Sequence, residues 1–305
     1  MARGRGPRFL PLIPMMNRVV GLLVSVTWAV AFAALMARDV VPLWLPQDPP
    51  RGEAPGGNSQ VGLFDASGRR VGTSWMTVHA QPQLTTITSS TELIDVAPLR
   101  AVAALPWVLI DSTFVFTQPD GRLLNFEVVL RRPGESVGEV RGQLVGDDYA
   151  CLARAGAATW DFSVDARISS LLGDSLRPFT HLPNLRVGQC WRLQSVDPLS
   201  LLAGKPASVY VRLVRVVGRE PVEHAGRRVD CFRIESDGVT AWADERGRLL
   251  LQRVTLPILG TWELHDEPFD GEARRRARQT ADPASADVRG SARSQRSICI
   301  VGGSR

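Results

Sequence analysis

The chain has 305 residues, 44% of them hydrophobic, and a formal net charge of +5. That length and composition support a sizeable core and exclude both wholesale disorder and a multi-span membrane protein. The excess positive charge sits in residues 1–18, where Arg3, Arg5, Arg8 and Arg18 face no acid. Without these four, 32 basic residues stand against 31 acidic ones. The body is nearly neutral and lacks the basic stripe that nucleic-acid binding demands.

Behind the basic N-terminus, residues 19–36 (VVGLLVSVTWAVAFAALM) form an uncharged run just long enough to span a hydrocarbon core as a helix. The preceding arginines orient it with residues 1–18 in the cytoplasm and the bulk of the chain outside. The sequence therefore predicts a single-pass inner-membrane protein with a periplasmic or extracytoplasmic body. Ala31-Phe32-Ala33 has the form of a signal-peptidase site, so the run is either an anchor or a cleaved signal. Its length, and the apolar character that continues through Val40 to Leu45, favour the anchor.

Residues 46–60 (PQDPPRGEAPGGNSQ) are a flexible linker by composition. The folded body is expected over 61–270. Residues 271–305 are polar and arginine-rich, with Arg274, Arg275, Arg276 and Arg278 clustered, and read as a disordered tail.

Strand patterns dominate the body. Thr85–Ile94 is β-branched, and Ser208–Val217 alternates bulky and polar residues. Turn signals recur at Ala66-Ser67-Gly68, Pro119-Asp120-Gly121, His224-Ala225-Gly226 and Glu245-Arg246-Gly247, each followed by arginine. Two hairpins, 113–130 and 239–256, align at an offset of 126 residues around Gly-Arg-Leu-Leu. A period of two puts Phe114, Phe116, Leu124, Phe126, Val128 and Leu130 on one face of the first, with Trp242, Leu250, Val254 and Leu256 at matching positions in the second. The match is either shared hairpin chemistry or the trace of two related halves. Helical signals are few: a short helix or loop over Asp95–Trp107, and Asp165–Leu176 with Asp165 as N-cap. The predicted fold is mainly β, a curved antiparallel sheet or half-barrel of hairpins with one or two short helices and an N-terminal transmembrane helix.

Among possible chemical sites, Gly188-Gln189-Cys190-Trp191 resembles the nucleophile tetrapeptide of eukaryotic transglutaminases, which implies a cysteine enzyme using Cys190. Such chemistry needs a thiolate at a helix N-terminus with a histidine base. The residues after Cys190 alternate as a strand does, and Pro198 stops any helix, so Cys190 is read as a strand residue. A disulfide is allowed outside the cytoplasm, with Cys190–Cys231 conceivable and the connectivity not deducible. His79, His181, His224 and His265 are scattered, and Asp147-Asp148, Asp244-Glu245 and His265-Asp266-Glu267 fall in expected turns. No metal site, cofactor motif or complete catalytic set emerges. The aromatic residues Phe114, Phe116, Phe126, Trp191 and Trp242 are candidates to line a cavity for an apolar ligand if the sheet curls.

The pattern of Gly188/Trp191, then Gly226/Arg227, then Trp242/Asp244/Gly247/Arg248/Leu249, with an opening FDASGRRVGTSWMTV stretch, resembles a β-rich non-catalytic exported region of bacterial envelope proteins. That region also precedes transglutaminase-like domains. The layout is also similar to lipoprotein-carrier half-barrels of the LolA type. The resemblance spans roughly residues 61–265 and implies a non-catalytic envelope domain that binds an apolar ligand or a protein partner. An assembly factor of an envelope complex is the other non-catalytic reading.

Overall fold

In the computed structural model the described residues are 13–41, 56–96, 106–118, 121–165, 177, 179–196, 209–256 and 260–282. They belong to two compact units, residues 1–47 and 48–305.

In the first unit the described residues form a helix, α1 (Ile13–Leu35), continued by a π-helical turn at Met36–Val40. The Thr27 hydroxyl donates to the Leu23 carbonyl at 2.9 Å, so this polar group is satisfied within the helix. Apolar side chains stand outward along it, Leu22 and Trp28 at 68% and 73% exposure. Among the described residues, no helix is long and apolar enough to cross a membrane.

The described residues of the second unit form one 14-stranded antiparallel sheet that curves and stays open. Its first arm holds β1 (Gly57–Asp65), β2 (Arg70–Ala80), β3 (Leu84–Ile94), β4 (Trp107–Thr117), β5 (Leu123–Arg132), β6 (Glu135–Val145), β7 (Asp148–Ala155) and β8 (Ala158–Asp165). Its second arm holds β9 (Cys190–Val196), β10 (Val209–His224), β11 (Arg227–Ser236), β12 (Val239–Ala243), β13 (Leu249–Leu256) and β14 (Gly260–Glu267). Each arm is a meander of hairpins, the outcome that short turns between alternating strands favour. β1 pairs with β14 in the middle, leaving β8 and β9 at the two ends of the sheet.

A helix, α2 (Gly271–Ala281), follows β14. It corrects the expectation of a disordered tail from residue 271. The Asp270 carboxylate caps it, accepting from the Glu272 and Ala273 amides at 2.9 Å. Ala277 and Ala281 are buried against Trp75 and Leu109. The Arg274 guanidinium donates to Thr77 Oγ1 at 2.8 Å and Ser90 Oγ at 3.3 Å, and Arg278 donates to Asp111 Oδ1 at 3.2 Å. The linker expectation is also shortened, because β1 begins at Gly57. Asp95, Val96 and Pro106 are not helical, Trp107 opens β4 and Asp165 closes β8; residues 97–105 and 166–176 of the two expected helical segments lie outside the described residues. So do residues 283–305.

The two faces of the sheet carry different cores. On the inner face, the one crossed by the 179–185 segment, Val61, Leu63, Trp191, Val214, Ile234 and Trp262 form the largest cluster, and Phe179, Leu182 and Leu185 cover it. A second inner cluster gathers Phe114, Phe126, Val140, Tyr149 and Cys151 on β4–β7, and Ile110 touches both. On the outer face lie the α2 contact and a smaller cluster of Cys231, Trp242 and Leu250.

The first hairpin departs from strict period two. Phe114 pairs with Phe126 but Phe116 with Leu123, so Leu124 is the extra residue of a β-bulge. Leu123, fully buried, therefore takes the inner position expected of Leu124. In the second hairpin the bulge falls at the aligned residue, Leu250, but the partners are Trp242 with Leu251 and Ala243 with Leu249. That one-residue difference in register turns Trp242 to the outer face while its sequence counterpart Phe116 faces inward.

Candidate functional site

The predicted aromatic residues do not line one cavity. Phe114, Phe116 and Phe126 share the inner face of β4 and β5, joined by Tyr149 and the half-buried Trp160, Phe162 and Val164. Gly142 makes room for them, since a Cβ there would overlap the Phe126 ring. Trp191, 1% exposed, belongs to the other inner cluster. Trp242 lies on the opposite face, where its indole N–H donates to Glu220.

Cys190 opens strand β9 and is buried, so it does not itself sit at a helix N-terminus, where a thiolate is stabilised. Among the described residues Cys151, Cys190 and Cys231 are all free thiols. The register explains why Cys190 and Cys231 do not join. Both flank β10, but Cys190 pairs with Arg215 and Cys231 with Glu220. Five residues along a strand separate them by roughly 16 Å, far beyond disulfide reach. Burial pushes the Cys151 thiol up to about 12 and the Cys231 thiol up to about 11.

Sequence spacing missed a charged cleft of about 510 Å³ lined by Glu223, His224, Ala225, Arg248, His265, Asp266 and Pro268. Two hairpin turns and the C-terminal end of β14 build it. The β10–β11 hairpin turns through Ala225 (φ 49°) and Gly226 (φ 72°), the left-handed pair of a two-residue turn, and this puts His224 at its tip. The β12–β13 turn delivers Arg248. His265 and Asp266 come from β14 itself, which corrects their expected place in a turn.

The β12–β13 turn has a twin. At 65–69 the Asp65 carboxylate accepts from the Ser67 and Arg69 amides at 3.0 and 3.1 Å, and the Asp65 amide donates to the Arg69 carbonyl at 2.9 Å. At 244–248 the Asp244 carboxylate accepts from the Arg246 and Arg248 amides, both at 2.9 Å, and the Asp244 amide donates to the Arg248 carbonyl at 2.9 Å. The motif Asp-x-x-Gly-Arg thus fixes one loop shape twice. The two arginines take different partners. Arg69 has its Nε 3.1 Å from Asp65 Oδ2 and its Nη1 3.4 Å from Asp95 Oδ2, whereas Arg248 reaches across to Asp266 Oδ2 at 2.6 Å.

Asp266 is the pivot of the cleft. Its side chain is 4% exposed, and His224 Nε2 lies 3.5 Å from the same Oδ2. Burial pushes its carboxyl above the usual carboxylate range, against the pull of Arg248, His224 and Arg177. Arg177 donates to Ser59 Oγ at 3.1 Å, and the segment after it crosses the inner face. Gln252, buried, clamps that segment by accepting from the Phe179 amide at 3.3 Å and donating to the Phe179 carbonyl at 3.1 Å. The Leu182 amide donates to the Gly247 carbonyl at 2.9 Å. Among the described residues no cluster of three or more His, Cys, Asp or Glu side chains is arranged to hold a metal ion.

No family model matches the chain, and no curated protein matches it. Among solved structures it is similar to the crystal structure of a β-barrel-like protein of the domain of unknown function DUF1849 from Brucella abortus. The identity is 12%, covering 70% of this chain and 97% of that one, with a TM-score of 0.40. A likeness at that score carries no argument about the site. The mainly β class rests on this chain's own strands.

Proposed function

We propose that the protein is a non-catalytic binding domain of the cell envelope, held at the membrane by its N-terminal helix, and that the inner face of β3–β8 takes up an apolar ligand. One observation carries the reading. The cluster built on Phe114, Phe126 and Tyr149 runs out to the end strand β8 through Trp160, Phe162 and Val164, which stay half-buried at the sheet margin. Aromatic surface left partly wet at the rim of a buried apolar wall suits an amphiphile whose chain extends that wall. The membrane part is supported by the uncharged run of residues 19–36, by the outward apolar side chains of α1 and by the arginines before it.

The topological half is tested with a reporter enzyme fused after residue 60, paired with one that works only in the cytoplasm. The reading expects activity solely from the reporter that needs an extracytoplasmic location; cytoplasmic activity overturns it. The cysteine-enzyme reading has a strand, a buried thiol and no apposed histidine among the described residues to support it.

A further inference from the structure

The charged cleft is separate from the apolar wall and has features that wall does not explain. It lies between a hairpin tip (Glu223, His224, Ala225) and the body of the sheet (Arg248, His265, Asp266, Pro268). The tip is the far end of a 16-residue strand whose pairing with β11 is bulged between Val216 and Gly218, and Val222 and Val229 seat it on Trp242 and Leu250. We propose that this cleft binds a phosphate group, held between the hairpin tip and β14 by Arg248, His224 and His265.

The twin turns give the main support. The same loop that sets Arg69 between Asp65 and Asp95 instead sets Arg248 at the cleft, its side chain 59% exposed while one end is fixed by Asp266. A buried carboxylate that holds a guanidinium and sits beside an imidazole orients both donors, as an outer partner does in anion and metal sites. The surrounding charge is mixed: Glu263 Oε2 lies 3.3 Å from His265 Nε2, while basic residues gather at the hairpin tip. Arg227 and Arg228 are exposed at the same tip, and Arg228 is the cross-strand partner of Glu223, the one solvent-facing acid of the lining. A cation would meet Arg248 first, so the chemistry selects an anion, and arginine with two histidines suits a dianionic oxyanion. The cleft exceeds the size of bare phosphate, which points to a phosphate ester. That ester is either a soluble molecule or a lipid headgroup.

The full chain in a neutral detergent is titrated calorimetrically with inorganic phosphate, glycerol 3-phosphate and dihexanoyl phosphatidic acid below its micellar concentration. The proposal expects saturable binding near about 1 mM or tighter, with Arg248→Gln weakening it by about tenfold. A tighter phosphatidic acid assigns the headgroup, and equal affinity with glycerol 3-phosphate assigns the soluble ester. Because Arg248→Gln strips a buried carboxylate of its partner, the double variant Arg227→Gln/Arg228→Gln and the single His265→Gln, all at exposed positions, are measured alongside. Each weakens binding about threefold or more with an unchanged melting curve. Absence of saturation with every probe, or full affinity in Arg248→Gln or in both exposed variants, overturns the proposal without touching the apolar-ligand reading.

Discussion

Gly247 lies directly beneath the Leu182 carbonyl, so that a Cβ at position 247 would overlap the Leu182–Pro183 backbone. This contact docks the 179–185 segment on the β12–β13 turn and closes the larger inner core. Its twin Gly68 has nearly the same φ, 80° against 81°, yet a Cβ there would meet nothing within 4 Å among the described residues. The pair separates backbone strain from packing. Gly68→Ala should cost about 1–2 kcal/mol, the left-handed penalty alone. Gly247→Ala should cost about 3–5 kcal/mol, because overpacking against backbone is added. Denaturant melts of the two variants read the difference.

Gln252→Leu removes both hydrogen bonds that hold the Phe179 backbone. Leucine fits the buried site in size but leaves an amide and a carbonyl without these partners, so the expected loss is about 2–4 kcal/mol. Thermal melts should show it as a fall of roughly 5–15 °C. A change under about 1–2 °C would mean that the segment does not depend on this clamp.

The three described cysteines should not react with an aromatic disulfide reagent in the native state on a Cys299→Ser background. All three are buried, and burial holds the Cys151 and Cys231 thiols protonated well above neutral pH. Labelling should appear only on unfolding. Fast native labelling of Cys190 would restore the cysteine-enzyme reading.

Two aspartates give the pH profile opposite slopes. Hydrogen bonds from the Ser67 hydroxyl, and then from Arg69, hold Asp65 down at about 2, below its ordinary 3.8. The folded state binds this proton less readily than the unfolded chain, so the stability Asp65 contributes is present above 3.8 and is lost as pH falls toward 2. Burial raises Asp266, so its contribution is present below 3.8 and lost as pH rises through its folded value. Asp65→Asn should flatten the acid limb of a melting-temperature profile. Asp266→Asn should improve relative to the parent as pH rises above 3.8.

The hairpin architecture was legible because its signals are local. Thr85–Ile94 and the Gly-Arg turns announce strands and reversals within a few residues of each other, and β3 and the turn at 244–248 fall where those signals put them. The bulges were not legible. Leu123 and Leu124 are both leucine, and only the partner strand decides which of them faces inward. The helix α2 was hidden by its composition, since arginines bonded to hydroxyls do the docking that apolar residues usually do. Its signals were the Asp270 cap and alanines at 273, 277 and 281. The charged cleft joins residues 18 and 42 positions apart in sequence, from two hairpin turns and one strand end, which no spacing rule relates.

The apolar-wall reading is tested most directly by growing cells that express the full chain on a photoactivatable fatty acid, irradiating them, and mapping the cross-linked peptides by mass spectrometry. The reading predicts adducts on the inner-face peptides that carry Phe114, Phe126, Trp160 and Phe162 as well as on α1, and loss of the inner-face adducts in Phe162→Arg. Adducts confined to α1, with none on β4 to β8, would contradict it.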